Sequence, residues 1–217
     1  MNFLRPDSSF MQKATKVVYY LYVHLLMTIC CIPIITVGAS LTAMHYVLLK
    51  LHKDEEGNVT KTFFLSFKEN FKQATCLWLI YFVATSVLAF DVYFMLVEEQ
   101  PVIMVVLTFV LCIVLLASMC WGFVLLSRYQ NTVRMTLRNS FVVSFAFPGS
   151  TLLLAILGVV PTLLALEYFG ALPLFLVFGW VLSGCYQPKI YSLIFEKIEN
   201  KMGNDYVKIN NVGEDEG

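Results

Sequence analysis

The feature that most constrains this chain is a series of stretches almost free of Asp, Glu, Lys and Arg: 17–35, 37–49, 74–97 (broken only by Asp91), 101–127, 139–166 and 168–188. A helix crossing a hydrocarbon core of about 30 Å needs roughly 20 apolar residues, and four of these stretches are that long. Hydrophobic residues make up 59% of the chain and charged residues 14%, whereas soluble domains carry about 25% charge. An ordinary soluble enzyme is excluded, because too little charge is present to coat a water-facing surface. The 15 Lys and Arg balance 15 Asp and Glu, so no overall basic field exists to hold nucleic acid. The expected fold is an all-α membrane bundle of about six transmembrane helices, set in the lipid bilayer.

The position of the charges predicts the orientation. Basic residues cluster as Arg5, Lys13 and Lys16; Lys50, Lys53, Lys61, Lys68 and Lys72; Arg128, Arg134 and Arg138; and Lys189, Lys197, Lys201 and Lys208, which accounts for all 15. If all six stretches cross, every cluster falls on one side, and the other side receives 36–40, the turn at 98–101 and Glu167. Lys and Arg collect in cytoplasmic loops, so the chain is expected to be multi-pass in the cell (plasma) membrane with both termini cytoplasmic. Residues 1–16 form an N-terminal arm, 17–199 a single polytopic domain, and 200–217, rich in Asn, Gly and acid, a disordered cytoplasmic tail. A cleaved signal peptide is disfavoured, because an h-region is about 7–15 residues and the first stretch is longer and leads straight into another.

The second crossing is the shortest. From Ser40, an expected N-cap, to Leu51 a helix reaches only about 18 Å. Either it runs on past Lys50 and His52 to Glu56, or the turn 33–40 dips into the outer leaflet as a re-entrant feature. Irregular backbone at that depth is tolerated where it is buried or lines a wet cavity, which makes Thr36, Gly38 and Ser40 candidates for a substrate or ion site. A tight outer hairpin is the plainer reading.

Two cytoplasmic stretches have the pattern of amphipathic interfacial helices. In 59–74, Phe63, Phe64, Phe67 and Phe71 recur at helical spacing while Lys61, Lys68 and Lys72 take other positions. In 128–144, Val133, Leu137, Phe141 and Ser144 stand against Arg134 and Arg138, with Arg128 at the start. Such helices bury their apolar face at the headgroup boundary or offer a docking surface to a partner protein.

Little in the sequence suggests chemistry. No Gly-rich Lys phosphate loop, HExxH, GxSxG or acidic metal cluster occurs, so neither an enzyme nor a cofactor or metal site is expected. His24 and His45 lie in apolar stretches with no acidic residue beside them and read as bundle-facing hydrogen-bonding groups. The six cysteines lack Cys-x-x-Cys spacing and read as buried small hydrophobes, with no disulfide framework. Asp91 is the one acid inside a crossing. It is either a carboxylate that binds proton or substrate, or a residue reaching the outer headgroups beside Tyr93. Trp78 and Trp121 fit an inner aromatic belt, and Tyr93 and Tyr168 an outer one.

Four ordered motifs carry a resemblance: 33–40 (PIITVGAS), 64–75 (FLSFKENFKQAT), Asn131-Thr132 leading to 137–139 (LRN), and 172–175 (LPLF) continuing through Gly179 to 195–197 (FEK). Together they resemble the YesL-like family of bacterial membrane proteins, which carries a domain of unknown function, over roughly 16–199. Where that pattern has a phenylalanine and an acidic residue before Asn131, this chain has Tyr129-Gln130. The resemblance implies an accessory or regulatory role in carbohydrate uptake beside ABC-type sugar permease subunits; it implies no catalytic or ligand residues. A small solute carrier or channel acting alone is the alternative, and a homo-oligomer is compatible with either.

Overall fold

The computed structural model describes residues 9–55, 57–98, 100–167 and 172–214. Arg5, Glu56, Glu99 and Tyr168 lie outside the described residues. The chain is all-α there, with seven helices: α1 (Ser9–Cys30), α2 (Val37–His52), α3 (Val59–Val97), α4 (Val102–Arg128), α5 (Val133–Ala146), α6 (Pro148–Glu167) and α7 (Leu172–Glu214), with a short 3-10 turn at Ile34–Thr36 ahead of α2. Three segments are long and apolar enough to cross a membrane: Ile34–His52, Val59–Val97 and Val102–Arg128. Counting the bent pair of α5 and the start of α6, which meet at 105°, there are up to four.

The segment that looked weakest in sequence is the centre of the fold. α2 packs against α1, α3, α4 and α7, and it is buried on all sides from Gly38 and Ala39 through Thr42, Ala43 and Val47 to Leu51. A helix sheathed by protein has no need to match the thickness of the lipid. It starts at Val37 with Thr36 at the N-cap, so Ser40 is not the cap. Ser40 sits in the first turn and its Oγ donates to the Thr36 carbonyl at 2.9 Å. The helix stops at His52, before Glu56, where Asp54 takes a left-handed backbone (φ 56°).

The two interfacial helices are also revised. Residues 59–74 are the opening turns of α3, which runs unbroken for 39 residues, about 58 Å. Its aromatic face is core: Phe63 is fully buried with Val23, Ala43, Val47, Leu48 and Leu51, and Phe67 and Phe71 pack beneath Leu77 and Phe123. Periodicity identifies the apolar face of a helix but not whether lipid or protein covers it. The stretch 128–144 is broken at 129–132, and Thr132 accepts from the Met135 N–H at 3.4 Å as α5 begins. α5 then turns Thr136, Ser140, Val143 and Ser144 inward against α4, leaving Arg134 and Arg138 exposed.

Buried hydroxyls fix how α3, α4, α5 and α6 meet. Tyr81 Oη and Ser118 Oγ are 2.8 Å apart, and Ser118 Oγ and Ser140 Oγ are 2.8 Å apart. The indole of Trp121 donates to Thr151 Oγ1 at 2.9 Å, and that hydroxyl lies 3.1 Å from the Ser144 carbonyl. Trp121 is therefore fully buried and not part of an interfacial belt. Away from this knot the upper turns of α3 and α4 are uncovered: Val83, Phe90, Leu96, Val102, Ile103 and Phe109 are exposed. Only 6% and 11% of the two apolar windows are buried by protein. Such a surface is stable against lipid tails, not water.

The charged end is tied together differently. Lys16 pairs with Asp54, and Arg128 Nη2 pairs with Glu199 Oε1 at 3.2 Å. Tyr129 Oη donates to the same carboxylate oxygen at 3.0 Å, so Tyr129 clasps the end of α4 to α7. Partial burial, then the Glu199 carboxylate, push the Tyr129 phenol from its ordinary value near 10 up to about 12. Ionisation therefore favours the unfolded chain once pH passes 10, and the clasp loses its contribution as pH rises to 12. Tyr129→Phe is expected to lower stability by about 1 kcal/mol at neutral pH. It should also flatten the alkaline fall in melting temperature; an unchanged alkaline limb would place the titration elsewhere. α7 contains Pro188 within it and continues as helix to Glu214, through most of the segment whose composition suggests disorder.

Candidate functional site

α2 is the key to the site because it is the shortest wall of a ring. α1 touches α2, α2 touches α4, α4 touches α6, α6 touches α7, and α7 returns to α1. Inside the ring lies a cavity of about 570 Å³, within the ordinary range for small-molecule sites. Glycines set two of its seams. A Cβ at Gly179 would stand 2.5 Å from Pro161 Cβ, and one at Gly184 would stand 2.6 Å from Tyr20 Cγ. α7 is thus pressed onto α6 on one side and α1 on the other, with the cavity facing the segment between.

The lining is sharply divided. α4 and α6 contribute Met119, Cys120, Phe123, Leu154, Ala155, Leu157, Val159 and Pro161, all without a strong hydrogen-bonding group. α1, α2 and α7 contribute His24, His45, Trp180, Ser183, Gln187 and Tyr191, beside Met27, Leu41 and Met44. Among the described residues no Asp, Glu, Lys or Arg lines the cavity. Tyr191 Oη donates to Gln187 Oε1 at 2.9 Å. His24 Nδ1 lies 2.7 Å from the Tyr20 carbonyl, so it carries the hydrogen and leaves Nε2 as an acceptor, and the ring stacks on Trp180 at 5.9 Å. His45 meets Tyr191 edge-on at 5.4 Å, and its buried Nδ1 has no hydrogen-bond partner. The two histidines read as bundle-facing are both buried and share this cavity. They belong to no group of three or more metal-ligating side chains among the described residues.

The other residues singled out in the sequence fall outside it. Asp91 is half-buried on the upper part of α3 and does not line the cavity. The Thr36 hydroxyl donates to the backbone at Cys30 and Pro33, and Ser40 is bonded within its helix. Gly38 is a packing glycine: a Cβ there would collide with the Ala74 carbonyl oxygen and lie 2.8 Å from Trp78 Cβ. Lys61, Lys68, Lys72, Arg128, Arg134 and Arg138 are exposed, whereas Phe63, Phe67 and Phe71 face inward. All six cysteines are free, but Cys76 is exposed and the others half-buried, none wholly in the core.

Sequence reasoning passed over Ser183, Gln187 and Tyr191. Their signal is nonetheless present, as polar residues at four-residue spacing on one face of an otherwise apolar helix. Met27, Met44 and Met119 carried no signal, because a methionine in an apolar stretch looks the same facing lipid, core or cavity.

The comparisons with known proteins bear on the first half of the chain. Residues 17–92 match the family described as protein of unknown function, DUF624. The match takes in most of α1, all of α2 and α3 to Val92, with two of the four resemblance motifs, 33–40 and 64–75. No curated protein and no solved structure matches the chain.

Proposed function

We propose that this chain is a six-crossing protein of the cell membrane, with both termini cytoplasmic, that serves as an accessory or regulatory component of carbohydrate uptake and performs no catalysis itself. The observation that carries the reading is the polarity of its surface. Uncovered apolar helices at one end are suited to lipid, and the exposed cations Lys61, Lys68, Lys72, Arg134 and Arg138 project from α3 and α5 at the other. Residues placed this way follow the distribution of Lys and Arg on cytoplasmic faces. They also provide a surface for acidic segments of a permease or for anionic lipid, with each cation near the membrane worth about 1 kcal/mol. The YesL-like resemblance supplies the sugar-uptake setting and the ABC-type permease as partner.

The test is purification in mild detergent from native membranes, with partners identified by mass spectrometry. Permease subunits are expected to co-purify, and to be lost when Lys61, Lys68, Lys72, Arg134 and Arg138 are together changed to Gln. Isolation of the protein without them would end the accessory reading.

A second reading, a small carrier acting alone, is favoured by the ring of helices around the cavity. It predicts flux of a neutral solute into liposomes containing only this protein. Asp91 does not line the cavity, so Asp91→Asn is expected to leave any such flux unchanged.

A further inference from the structure

We propose that the open-sided cavity lined by α1, α2, α4, α6 and α7 binds an uncharged lipid with a single hydrogen-bonding head group, drawn sideways from the bilayer. The proposal rests on neither functional reading above; it follows from the chemistry of the lining. With no charged side chain on the walls among the described residues, an ionic ligand would find no counter-charge there in a low-dielectric site. A free sugar carries hydroxyls around its whole periphery, and those turned toward Met119, Leu154 and Leu157 would be left unpaired. A molecule with one polar end and a hydrocarbon body matches the division of the walls. Its head lies against His24, His45 and the Gln187–Tyr191 pair, and its chain against α4 and α6.

Two further observations point to a ligand. His45 is more than nine-tenths buried and lines the cavity, and its Nδ1, turned away from the open space, has no partner in the protein; a half-turn of the ring would present that nitrogen to a hydroxyl or carbonyl head. α2 also begins at Val37, with Thr36 bonded back to the Cys30 carbonyl that ends α1 and Gly38 held against Ala74 and Trp78. On the helices beside it, Ile113 and Leu116 of α4 and Ile29 of α1 are exposed. Both flanks of α2 there are surfaces suited to acyl chains.

The test uses the full-length protein in phosphatidylcholine nanodiscs and hexadecanol bearing a diazirine on its chain. After irradiation, peptide mapping is expected to find label on Met44, Met119 and Leu154. Excess unlabelled hexadecanol should remove it, and glucose at the same excess should not. His45→Leu removes the unpartnered ring without adding bulk and is expected to reduce cavity labelling about tenfold, the equivalent of one lost hydrogen bond. Ala155→Phe fills the cavity from α6 and should abolish labelling there; the melting temperature reports whether each variant is folded. Solvent extraction of protein purified from its own membranes should release a neutral lipid from the wild type and not from folded Ala155→Phe. Label confined to the outer faces of α3 and α4, cavity label undiminished in both folded variants, or displacement by glucose as effective as by hexadecanol would each overturn the proposal.

Discussion

Gly38→Leu is expected to separate α2 from α3 and to cost about 3 kcal/mol, at the upper end of what overpacking a core costs. A Cβ at this position meets the Ala74 carbonyl oxygen, with Trp78 Cβ at 2.8 Å, and neither can rotate out of the way. Backbone must move, and α2 touches α1, α4 and α7 as well as α3, so the displacement spreads through the bundle. Thermal unfolding in detergent, with size-exclusion profiles, reads the effect. Gly149→Leu is the control, since a Cβ there meets nothing within 4 Å, and a surface change of that kind stays within about 0.5 kcal/mol. Equal losses from the two substitutions would show that close approach of α2 and α3 does not set the stability of the bundle.

Trp121→Ala is expected to have the second large effect, about 3 kcal/mol. The indole is completely buried, donates to Thr151 and meets Tyr191 at 6.0 Å, so it joins α4 to α6 and α7 under the cavity. In detergent the unfolded chain already shelters apolar side chains from water, and the loss comes mainly from packing and the hydrogen bond. Trp121→Phe separates these contributions: it keeps most of the volume, leaves Thr151 without its donor, and is expected to cost about 1 kcal/mol. If Trp121→Phe were as damaging as Trp121→Ala, the hydrogen bond rather than packing would be the larger part. Trp78→Ala offers the comparison at a half-buried tryptophan whose Nε1 has no partner; its cost should be smaller.

The residues that sequence alone could not place share a physical cause. In water, burial and hydrophobicity run together, so a periodic apolar face reveals the core. In a membrane, lipid and protein interior are equally apolar, and the pattern stops distinguishing them. Phe63 and Phe64 are neighbours of the same chemistry, yet one is fully buried and the other half exposed. Trp78 and Trp121 looked alike as belt residues, and Trp121 lies in the core. Small and polar residues remain informative, because they have no reason to face lipid: Gly38, His24, His45 and the series Ser183, Gln187, Tyr191 all turn inward.

Composition and the spacing of charge were enough by themselves to determine that the chain is helical, with helices long and apolar enough to cross a membrane, and that its cations separate from its apolar stretches. These are one-dimensional properties: a segment free of charge is costly in water whatever lies beside it, and a helix is the simplest way to pair its backbone in lipid. Only the tertiary structure decided that the shortest segment is the central one, that the aromatic face of 59–74 is covered by protein, and that His24, His45, Gln187 and Tyr191 surround one cavity. Those facts depend on which helices touch, and contacts between apolar surfaces of equal hydrophobicity are chosen by shape: a glycine where two backbones meet, a hydroxyl within reach of another, and a short helix that four others touch.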